Sequence, residues 1–405
     1  MINGLAEYKE KWNIATDNAI KPGLDAIRSA LGELGNPETE GHFVHIAGTN
    51  GKGSTAAMLS AILQAHGKSV GTFYSPGIID LHDQIQINGE PVSPEALGEV
   101  MRELSKIETP LTDFELLTAA AYVHFRNQSP DFAIIEAGMG GRFDSTNVID
   151  PEVAIIPSIS KEHTNFLGEE IKDIAYHKAG IIKKWRPAIT GPLEGQAMQV
   201  IRQEAKKQHS DLIVPKTPYQ GKLSLKGAHQ HWNAQIALEA AKELLGTGYD
   251  AQIAQDALAT ATIPYRFEAY AEGLIFDGAH NEASIDALVE TIQAEFPGRK
   301  VRIVMGMLKD KAYENVLRKL ETTSGHFVFI DFDNPRALPA EKLFYASNSK
   351  IKTIKNIYDI LPVNGYNEVT IVTGSLYLLS TLKRPDLPFL DHFSKGAKQL
   401  ESPEE

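Results

Sequence analysis

The sequence predicts an α/β protein with two domains: an N-terminal, doubly wound domain and a smaller C-terminal α/β domain. Short apolar segments of strand type alternate with longer segments of helical spacing along most of the chain. A glycine-rich turn separates an early apolar strand from a helix, and the alternation starts again near residue 266. These observations together predict parallel sheets whose functional residues lie at the strand ends.

The individual elements follow from the same patterns. In the N-terminal part we predict strands at 43–46, 69–73, 85–87, 132–137 and 153–159, near 188 and near 213, and helices at 8–14, 23–34, 56–65, 114–125, 169–183, 194–208, 229–245 and 251–260. Asn88-Gly89 predicts a hairpin turn, and Thr112-x-x-Glu115 predicts a capping box. The C-terminal part predicts strands at 274–276, 301–305, 327–330 and 369–373, with helices at 281–296 and 311–321.

Length and composition narrow the class of protein. A chain of 405 residues should form two or three domains, and we place them at 1–265 and 266–405, with a frayed tail from about residue 394. A formal net charge of −12 argues against nucleic acid as a partner. No apolar run approaches the roughly 18 residues of a membrane span, residues 1–20 do not resemble a signal peptide, and cysteine is absent. We therefore expect a cytoplasmic monomer whose partners are small molecules, with no nucleic acid and no membrane.

The stretch 45–55, His-Ile-Ala-Gly-Thr-Asn-Gly-Lys-Gly-Ser-Thr, predicts a phosphate site. Glycines let backbone N–H groups approach phosphate oxygens, and the N-terminus of the following helix adds partial positive charge. Lys52 adds a full charge, and a lysine inside such a turn has little structural purpose. Strict Walker A spacing is absent, because Ile46 replaces the first glycine and Gly53 separates Lys52 from Ser54. The alternative is a glycine-rich turn without a ligand.

Four polar residues follow predicted strands or lie in helices of the first domain: Ser75, Glu136, His163 and Lys178. An acid at the end of an apolar strand is costly unless it is paired or binds a cation. A hydroxyl, a carboxylate and an imidazole together are able to hold Mg²⁺ and leave positions for phosphate oxygens and water. Spacing alone leaves other readings open, namely a cap of the following turn for Glu136, a hydrogen-bonded loop imidazole for His163 and an exposed helical lysine for Lys178.

The segment 48–54, Gly-Thr-Asn-Gly-Lys-Gly-Ser, resembles the ATP loop of the Mur ligase superfamily, and specifically of the folylpolyglutamate synthase/dihydrofolate synthase family. That family departs from Walker A in the same way, and matching motifs continue in one order between residues 20 and 380. The resemblance implies that the doubly wound N-terminal domain is of the P-loop ATPase type and that the smaller C-terminal α/β domain is Rossmann-like. The resemblance implies that ATP is bound by Gly48, Thr49, Asn50, Gly51, Lys52, Gly53, Ser54, Thr55, Asn233, Arg266, Asp277 and His280. Asn233 lies in His-Gln-x-x-Asn-Ala, Arg266 in Pro-Tyr-Arg-Phe-Glu where the family has Pro-Gly-Arg-Phe-Glu, and Asp277 and His280 in Asp-Gly-Ala-His-Asn.

The resemblance also implies metal and acceptor sites. Ser75, Glu136 and His163 match the family's metal ligands, and Lys178 matches a lysine whose carbamate supports a second Mg²⁺. A monovalent cation is a further candidate cofactor. Thr112, Phe114 and Asp144 match residues that contact the pterin ring, although an aromatic residue at a helix start is also a common core residue. The implied catalytic residues are Lys52, His163, carbamylated Lys178, Arg266 and His280.

These matches predict an ATP-dependent amide ligase that adds L-glutamate to a folate, to dihydropteroate or to both, through an acyl phosphate. The alternatives are a degenerate nucleotide-binding or regulatory homologue and a ligase with a different acidic acceptor. A peptidoglycan Mur ligase is disfavoured, because about forty residues before the loop are too few for a UDP-sugar domain. Departures from the family pattern bear on the substrate: Gly77 and Gln84 replace a histidine and an arginine, and Glu162 and His177 replace an aspartate and a glutamate.

Overall fold

A computed structural model of the chain describes residues 4–17, 21–77, 80–356 and 368–382. The chain divides into two compact units, Met1–Ser224 with His229–Thr262, and Leu225–Ala228 with Ile263–Glu405. The tail that we expected to be frayed lies outside the described residues. Within the described ranges, no helix is long and apolar enough to cross a membrane.

The N-terminal unit is built on an eight-stranded sheet. The strands of this unit are β1 (Thr16–Asp17), β2 (Phe43–Ile46), β3 (Val70–Phe73), β4 (Ile85–Ile87), β5 (Glu90–Pro91), β6 (Leu111–Thr112), β7 (Phe132–Glu136), β8 (Val153–Ile156), β9 (Ala188–Thr190) and β10 (Leu212–Ile213). The spatial order is β10-β9-β8-β2-β7-β3-β4-β5, while β1 and β6 form a separate parallel pair. The large sheet is parallel except for β4 and β5 at one edge, which form the hairpin predicted at Asn88-Gly89.

Helices surround this sheet. They are α1 (Leu5–Trp12), α2 (Asp25–Glu33), α3 (Lys52–Ala65), α4 (Pro94–Leu104), α5 (Asp113–Gln128), α6 (Thr164–Leu167), α7 (Ile171–Ala179), α8 (Gly195–Lys207), α9 (Ala228–Leu245) and α10 (Ala251–Leu258). Strands β2, β3 and β8 are buried at every residue, as expected of parallel strands covered on both faces. The predicted capping box at Thr112 is present at the start of α5.

Strand β2 lies at the topological switch point of the sheet. The chain passes first to β3 and β7 on one side of β2, and afterwards to β8, β9 and β10 on the other side. The carboxyl ends of these strands are adjacent, with Ile46 opposite both Glu136 and Ile155, and Phe73 opposite Ile135. Ligands of open α/β sheets bind in the crevice at this kind of position.

The C-terminal unit contains a six-stranded sheet in the order β11-β12-β16-β13-β14-β15. Its strands are β11 (Glu268–Ala271), β12 (Leu274–Phe276), β13 (Lys300–Met305), β14 (His326–Ile330), β15 (Ile351–Lys355) and β16 (Glu368–Thr373), and its helices are α11 (Glu282–Glu295), α12 (Tyr313–Leu320), α13 (Ala340–Ala346) and α14 (Leu376–Leu382). Among the strands that the structure describes in this unit, only β11 pairs in the antiparallel sense. The predicted fold class, a doubly wound unit followed by a smaller parallel α/β unit, is confirmed.

Some sequence-based boundaries need correction. The loop helix begins at Lys52 and not at 56, because Gly51 already serves as its N-cap in a left-handed conformation with φ 85°. Several elements were missed, among them the short β1, β6, β11, α6 and α14. The longer ones are α4, whose Ser93-Pro94 start is a recognisable cap, and α13 and β15 in the C-terminal unit. Strand β15 has mostly exposed residues, so it lacks the apolar pattern on which strand prediction depends.

Candidate functional site

Hydrogen bonds from the segment after β8 fix the shape of the glycine-rich turn after β2. The backbone N–H of Thr49 donates to Ser158 O (2.9 Å), and Thr49 Oγ1 donates to Ser160 O (3.0 Å). The backbone N–H of Asn50 donates to Ser158 Oγ (2.9 Å). The turn therefore keeps its conformation through protein contacts alone.

Close packing around this turn disfavours a side chain at two glycines, most strongly at Gly51, whose φ is 85°. A Cβ on Gly51 would lie 2.5 Å from Asn233 Oδ1, and a Cβ on Gly48 would lie 3.2 Å from Pro157 Cδ. The structure thus brings Asn233, on α9, directly against the turn. The Asn233 side chain is oriented by its Nδ2, which donates to Gln230 Oε1 (2.9 Å).

The side chain of Lys52 folds back over the turn. Its Nζ donates to Gly48 O (3.1 Å) and Thr49 O (3.3 Å) and lies 3.7 Å from Glu136 Oε1. Only 16% of the Lys52 side chain and 8% of the Glu136 side chain are exposed. Charges with so little exposure to solvent interact more strongly than surface charges do, so this ammonium group is a strong partner for phosphate oxygens.

Ser75 and His163 lie after strands that flank Glu136 and the turn. Ser75 follows β3 by two residues, and β3 pairs with the strand that ends at Glu136. His163 follows β8 and begins α6 in a left-handed conformation, with its Nε2 3.8 Å from Glu162 Oε1. In the part of the chain that the structure describes, no group of three or more His, Asp or Glu side chains is placed to hold a metal ion. One carboxylate, one hydroxyl and one imidazole fit a cation that keeps several water or phosphate ligands, as Mg²⁺ does.

Lys178, near the end of α7, is only 2% exposed, which excludes the reading of an exposed helical lysine. Burial and the charge of Lys52 lower the pKa of the Lys178 amine to about 7, although Glu162 and Asp144 act in the opposite direction. A substantial fraction of this amine is therefore uncharged near neutral pH. An uncharged amine is the nucleophilic form of lysine.

The burial of Lys178 follows from the loop after β7, which packs against the end of α7. The backbone N–H of Arg142 donates to His177 O (2.6 Å). A Cβ on Gly141 would lie 2.9 Å from the same carbonyl oxygen, and a Cβ on Gly180 would lie 2.3 Å from Arg142 Cβ. Only glycine at these positions lets the loop that follows Glu136 approach the Lys178 turn.

Two of the predicted pterin residues lie at the start of α5. Thr112 Oγ1 donates to Glu115 Oε2 (2.8 Å) and accepts from the Glu115 backbone N–H (3.3 Å). The ring of Phe114 stacks on Phe73 with centroids 6.1 Å apart, and it covers Gly138 so closely that a Cβ there would lie 2.6 Å from Phe114 Cζ. Phe114 is partly buried and packs on the core of the unit.

The third predicted pterin residue, Asp144, is buried and held by its own loop. One carboxylate oxygen accepts from the Met139 backbone N–H (2.7 Å), and the other accepts from Thr146 Oγ1 (2.6 Å) and the Thr146 backbone N–H (3.1 Å). Burial raises the pKa of Asp144, although these hydrogen bonds act in the opposite direction. The carboxylate therefore fixes the loop between β7 and β8.

A cavity of about 540 Å³ lies beside Thr112. Its lining includes the turn around Lys21 and Gly23, the end of β6, and Glu115 on α5. The backbone N–H of Gly23 donates to Phe143 O (3.2 Å), which connects this front segment to the Asp144 loop. No motif in the sequence singled out the front segment as part of a site.

In the C-terminal unit, the turn at Arg266 and the turn at 277–280 are hydrogen-bonded to each other. The carboxylate of Asp277 accepts from the backbone N–H groups of Phe267 and Ala279 (both 2.9 Å). His280 Nδ1 donates to Gly278 O (2.8 Å). A Cβ on Gly278 would lie 2.6 Å from the Arg266 Nη1, so the guanidinium group rests on this glycine. The N-cap of α11 is Asn281, which shows that Asp277 holds the turn and does not cap the helix.

Comparisons with known proteins agree with this arrangement. The Mur ligase middle domain matches residues 46–210, and the Mur ligase glutamate ligase domain matches residues 265–376. The dihydrofolate synthase/folylpolyglutamate synthase of Bacillus subtilis is 36% identical over 90% of this chain and 95% of its own length. The folylpolyglutamate synthase of Lacticaseibacillus casei is 31% identical over 88% of this chain and 93% of its own length.

Solved structures show the same fold. Folylpolyglutamate synthase of Mycobacterium tuberculosis, complexed with ADP and AMPPCP, superposes with a TM-score of 0.84 at 29% identity, over 89% of this chain and 95% of that one. FolC of Escherichia coli, in complex with DHPP and ADP, superposes with a TM-score of 0.85 at 26% identity, over 98% of both chains. The family predicted from the sequence motifs is thereby confirmed. The chain belongs to the folylpolyglutamate synthase/dihydrofolate synthase family of Mur ligases and is an ATP-dependent ligase.

Proposed function

We propose that the protein joins L-glutamate to the carboxylate of a folate, of dihydropteroate or of both, at the expense of ATP. The observation that carries the proposal is the Lys52 amine, which lies 3.7 Å from Glu136 at the carboxyl edge of the sheet, beside the switch strand. A turn rich in backbone N–H groups, a buried cation and a buried carboxylate together suit a metal–triphosphate group. The curated relatives of matching length are folylpolyglutamate and dihydrofolate synthases.

The reaction takes place in two steps. An acceptor carboxylate oxygen attacks the γ-phosphorus of ATP, the bond to the β-phosphate oxygen breaks, and ADP leaves an acyl phosphate behind. The amine of glutamate then attacks the acyl carbon, inorganic phosphate leaves, and the amine proton passes to solvent. Lys52 and the N–H groups of the turn stabilise the charge on the phosphates, and we propose the same role for Arg266 and His280. Asp277 is proposed to contact the ribose.

The residues present suit Mg²⁺, for which the carboxylate of Glu136, the hydroxyl of Ser75 and the imidazole of His163 would be the ligands. A bound Mg²⁺ neutralises phosphate charge and orients the triphosphate. We propose that Lys178 is carbamylated, because its buried amine, whose pKa lies at about 7, is able to react with CO₂. The carbamate would supply the anion for a second Mg²⁺, and a monovalent cation remains a candidate.

For the acceptor, we propose that its ring system binds beside the start of α5, near the 540 Å³ cavity that Thr112 lines. The partly buried ring of Phe114 lies at the start of the same helix and is proposed to contact the pterin. Thr112 and Asp144 are proposed to contact the pterin from positions that their own hydrogen bonds already fix. Gly77, Gln84, Glu162 and His177 would then distinguish the acceptor preference of this chain from that of the family pattern.

The test is ADP release by the full chain with ATP, Mg²⁺ and glutamate, measured separately with dihydropteroate, with tetrahydrofolate and without acceptor. We expect ADP release only when both glutamate and a pterin acceptor are present, and a product heavier by one glutamyl residue in mass spectrometry. ATP binding without acceptor-dependent turnover would overturn the proposal. A single round of ADP formation without ligation would favour a degenerate homologue.

We further propose a cytoplasmic monomer with the domain boundary between residues 265 and 266. The compact units divide between Thr262 and Ile263, and the second family segment begins at residue 265, so both lie within about three residues of this boundary. Light scattering after size-exclusion chromatography should give the chain mass of 44.4 kDa. Limited proteolysis should cut the chain close to the boundary and leave two resistant fragments.

A further inference from the structure

Arg266 is flanked by two bulky residues in left-handed conformations. Tyr265 has a φ of 61° and Phe267 a φ of 49°. The left-handed region is open to glycine, but a residue with a Cβ adopts it at a cost, and such residues keep it only where their surroundings enforce it. In the family pattern quoted above, glycine stands at the position of Tyr265.

Buried aromatic contacts enforce this conformation on both sides of Arg266. Tyr265 is 0% exposed, its hydroxyl donates to Leu379 O (3.1 Å), and its ring lies 6.3 Å from that of Phe276. Phe267 is 7% exposed, and its ring stacks on Phe296 with centroids 5.9 Å apart. Both rings are therefore inserted into the C-terminal unit, and the backbone between them has little freedom.

The backbone of Tyr265 also holds the Arg266 side chain and the neighbouring turn. Its carbonyl oxygen accepts from Arg266 Nη1 (3.3 Å) and from the Gly278 backbone N–H (2.9 Å). The Asp277 carboxylate accepts from the Phe267 N–H and so fixes the other end of the turn. The guanidinium group is thereby held over Gly278 by contacts that require no nucleotide.

We propose that Tyr265 is a positioning residue that fixes the Arg266 guanidinium group over Gly278 before ATP binds. The inference rests on the proposed role of Arg266 at the nucleotide phosphates. A glycine at position 265 permits the left-handed turn but does not enforce it, whereas the buried tyrosine ring removes the alternatives. Because the arginine is already ordered in the folded chain, ATP binding has less conformational entropy to overcome.

The test uses the full chain and four variants. Tyr265→Gly and Tyr265→Asn remove the ring but accept a positive φ, Tyr265→Phe removes only the hydroxyl, and Arg266→Ala removes the guanidinium group. We expect Tyr265→Gly and Tyr265→Asn to raise the KM for ATP about 10-fold, and to change the KM for the pterin acceptor less than about 2-fold. Tyr265→Phe should stay within about 2-fold of the unaltered protein in both constants, since it keeps the ring.

A double-mutant cycle separates positioning from general structural damage. In the Arg266→Ala background, Tyr265→Gly should raise the KM for ATP by less than about 2-fold, because a residue that acts through Arg266 has nothing left to position. If both Tyr265 variants fail to fold, Phe267→Leu, which replaces the second ring by a smaller aliphatic side chain, should also raise the KM for ATP and lose that effect in the Arg266→Ala background.

Several results would overturn the inference. Effects of Tyr265→Gly and Arg266→Ala that multiply independently, or an equal rise in the KM of both substrates, would show that Tyr265 does not act through Arg266. An unchanged KM for ATP in both Tyr265→Gly and Tyr265→Asn would also show that Tyr265 does not position Arg266. If Arg266→Ala alone leaves the ATP kinetics unchanged, the proposed role of Arg266 fails, and the inference fails with it. If the unaltered protein shows no pterin-dependent turnover, that result contradicts the proposed function and not the positioning role of Tyr265.

Discussion

The carboxyl edges of the two sheets carry their charges in different ways. At the carboxyl edge of the N-terminal sheet, Lys52, Glu136 and Lys178 are little exposed, and burial together with the charge of Lys52 lowers the pKa of Lys178. At the carboxyl edge of the C-terminal sheet, the carboxylate of Asp277 accepts hydrogen bonds from two backbone N–H groups. The guanidinium group of Arg266 rests on the backbone of its own turn. The first edge gathers little-exposed side-chain charges close to one another, whereas the second uses charge to fix a backbone shape.

This difference predicts two kinds of response to mutation. Mutations at the carboxyl edge of the N-terminal sheet should abolish turnover with modest effects on the free energy of unfolding. Mutations at the carboxyl edge of the C-terminal sheet should weaken ATP binding and lower the free energy of unfolding together, because the same hydrogen bonds serve both. The predictions below test this contrast, beginning with the largest expected effect.

Lys52→Met keeps the aliphatic stem but removes the ammonium group. We expect kcat/KM to fall about 1,000-fold or more, since charge stabilisation of the transferring phosphoryl group is lost. Steady-state ADP release measures the loss, and the melting temperature should move by only a few degrees. Lys68→Met is the matched control, because Lys68 lies at the surface near Asp131 and should leave kcat unchanged. Retention of a tenth of the activity by Lys52→Met would contradict the assignment.

Lys178→Met should lower kcat about 100-fold, because the variant cannot form the proposed carbamate that would bind the second Mg²⁺. Lys178→Glu restores a negative charge and should recover part of that loss. Turnover of the unaltered protein should also fall in CO₂-free buffer and return with bicarbonate. Lys172→Met, on the same helix but paired with Glu170 at the surface, is the control. Bicarbonate-independent turnover would contradict carbamylation.

Asp277→Ala should raise the KM for ATP about 10-fold and lower the free energy of unfolding by about 1–3 kcal/mol, because two backbone N–H groups lose their acceptor. Asp277→Asn keeps one oxygen acceptor, so its KM for ATP and its free energy of unfolding should lie between those of Asp277→Ala and the unaltered protein. Urea unfolding and ATP kinetics give the two quantities. Asp286→Ala, which breaks only a partly exposed ion pair with Lys319, should change neither. A change in KM without loss of stability would show that the two edges do not differ as argued.

The pH dependence of stability should report the buried Lys178. Its folded-state pKa of about 7 lies below the ordinary lysine value of 10.5, so between these pH values the unfolded chain binds a proton that the folded chain does not. In CO₂-free buffer the contribution of this residue to the free energy of unfolding therefore rises from pH 7 to pH 9, on the order of 1–3 kcal/mol. Lys178→Met should remove this rise, which urea unfolding at both pH values measures.

Thr112→Val should have the smallest effect, a loss of about 1 kcal/mol in the free energy of unfolding, because it removes the N-cap of α5. Thr112→Ser keeps the hydroxyl and should stay close to the unaltered protein. Thermal unfolding measures the difference. If Thr112 also contacts the pterin, Thr112→Val raises the KM for the acceptor and Thr112→Ser does not.

Sequence patterns predicted those parts of the site whose conformation is determined by residues close together in the chain. The strand, glycine turn and helix around Lys52 could be predicted because glycine spacing and apolar runs are local signals. The meeting of Glu136 with Lys52 also follows from a simple rule, since adjacent parallel strands end at the same edge. The capping box at Thr112 is equally local.

The burial of Lys178 could not be read from its helix, because it depends on packing against Gly141 and Gly180 across a loop. The cavity beside Thr112 is formed partly by a front segment without a motif. Nor does the sequence show that Tyr265 adopts a left-handed conformation, because a tyrosine ordinarily avoids it. Each of these features arises from contacts between distant segments.

The contact between Gly51 and Asn233 has an evolutionary consequence. With a φ of 85° and a side-chain oxygen 2.5 Å from the place of a Cβ, position 51 admits no other residue while Asn233 keeps its place. A shorter residue at 233 would relieve the collision but not the backbone strain. Descendants of this chain should therefore retain glycine at position 51, and where another residue does appear there, position 233 should already carry a shorter side chain.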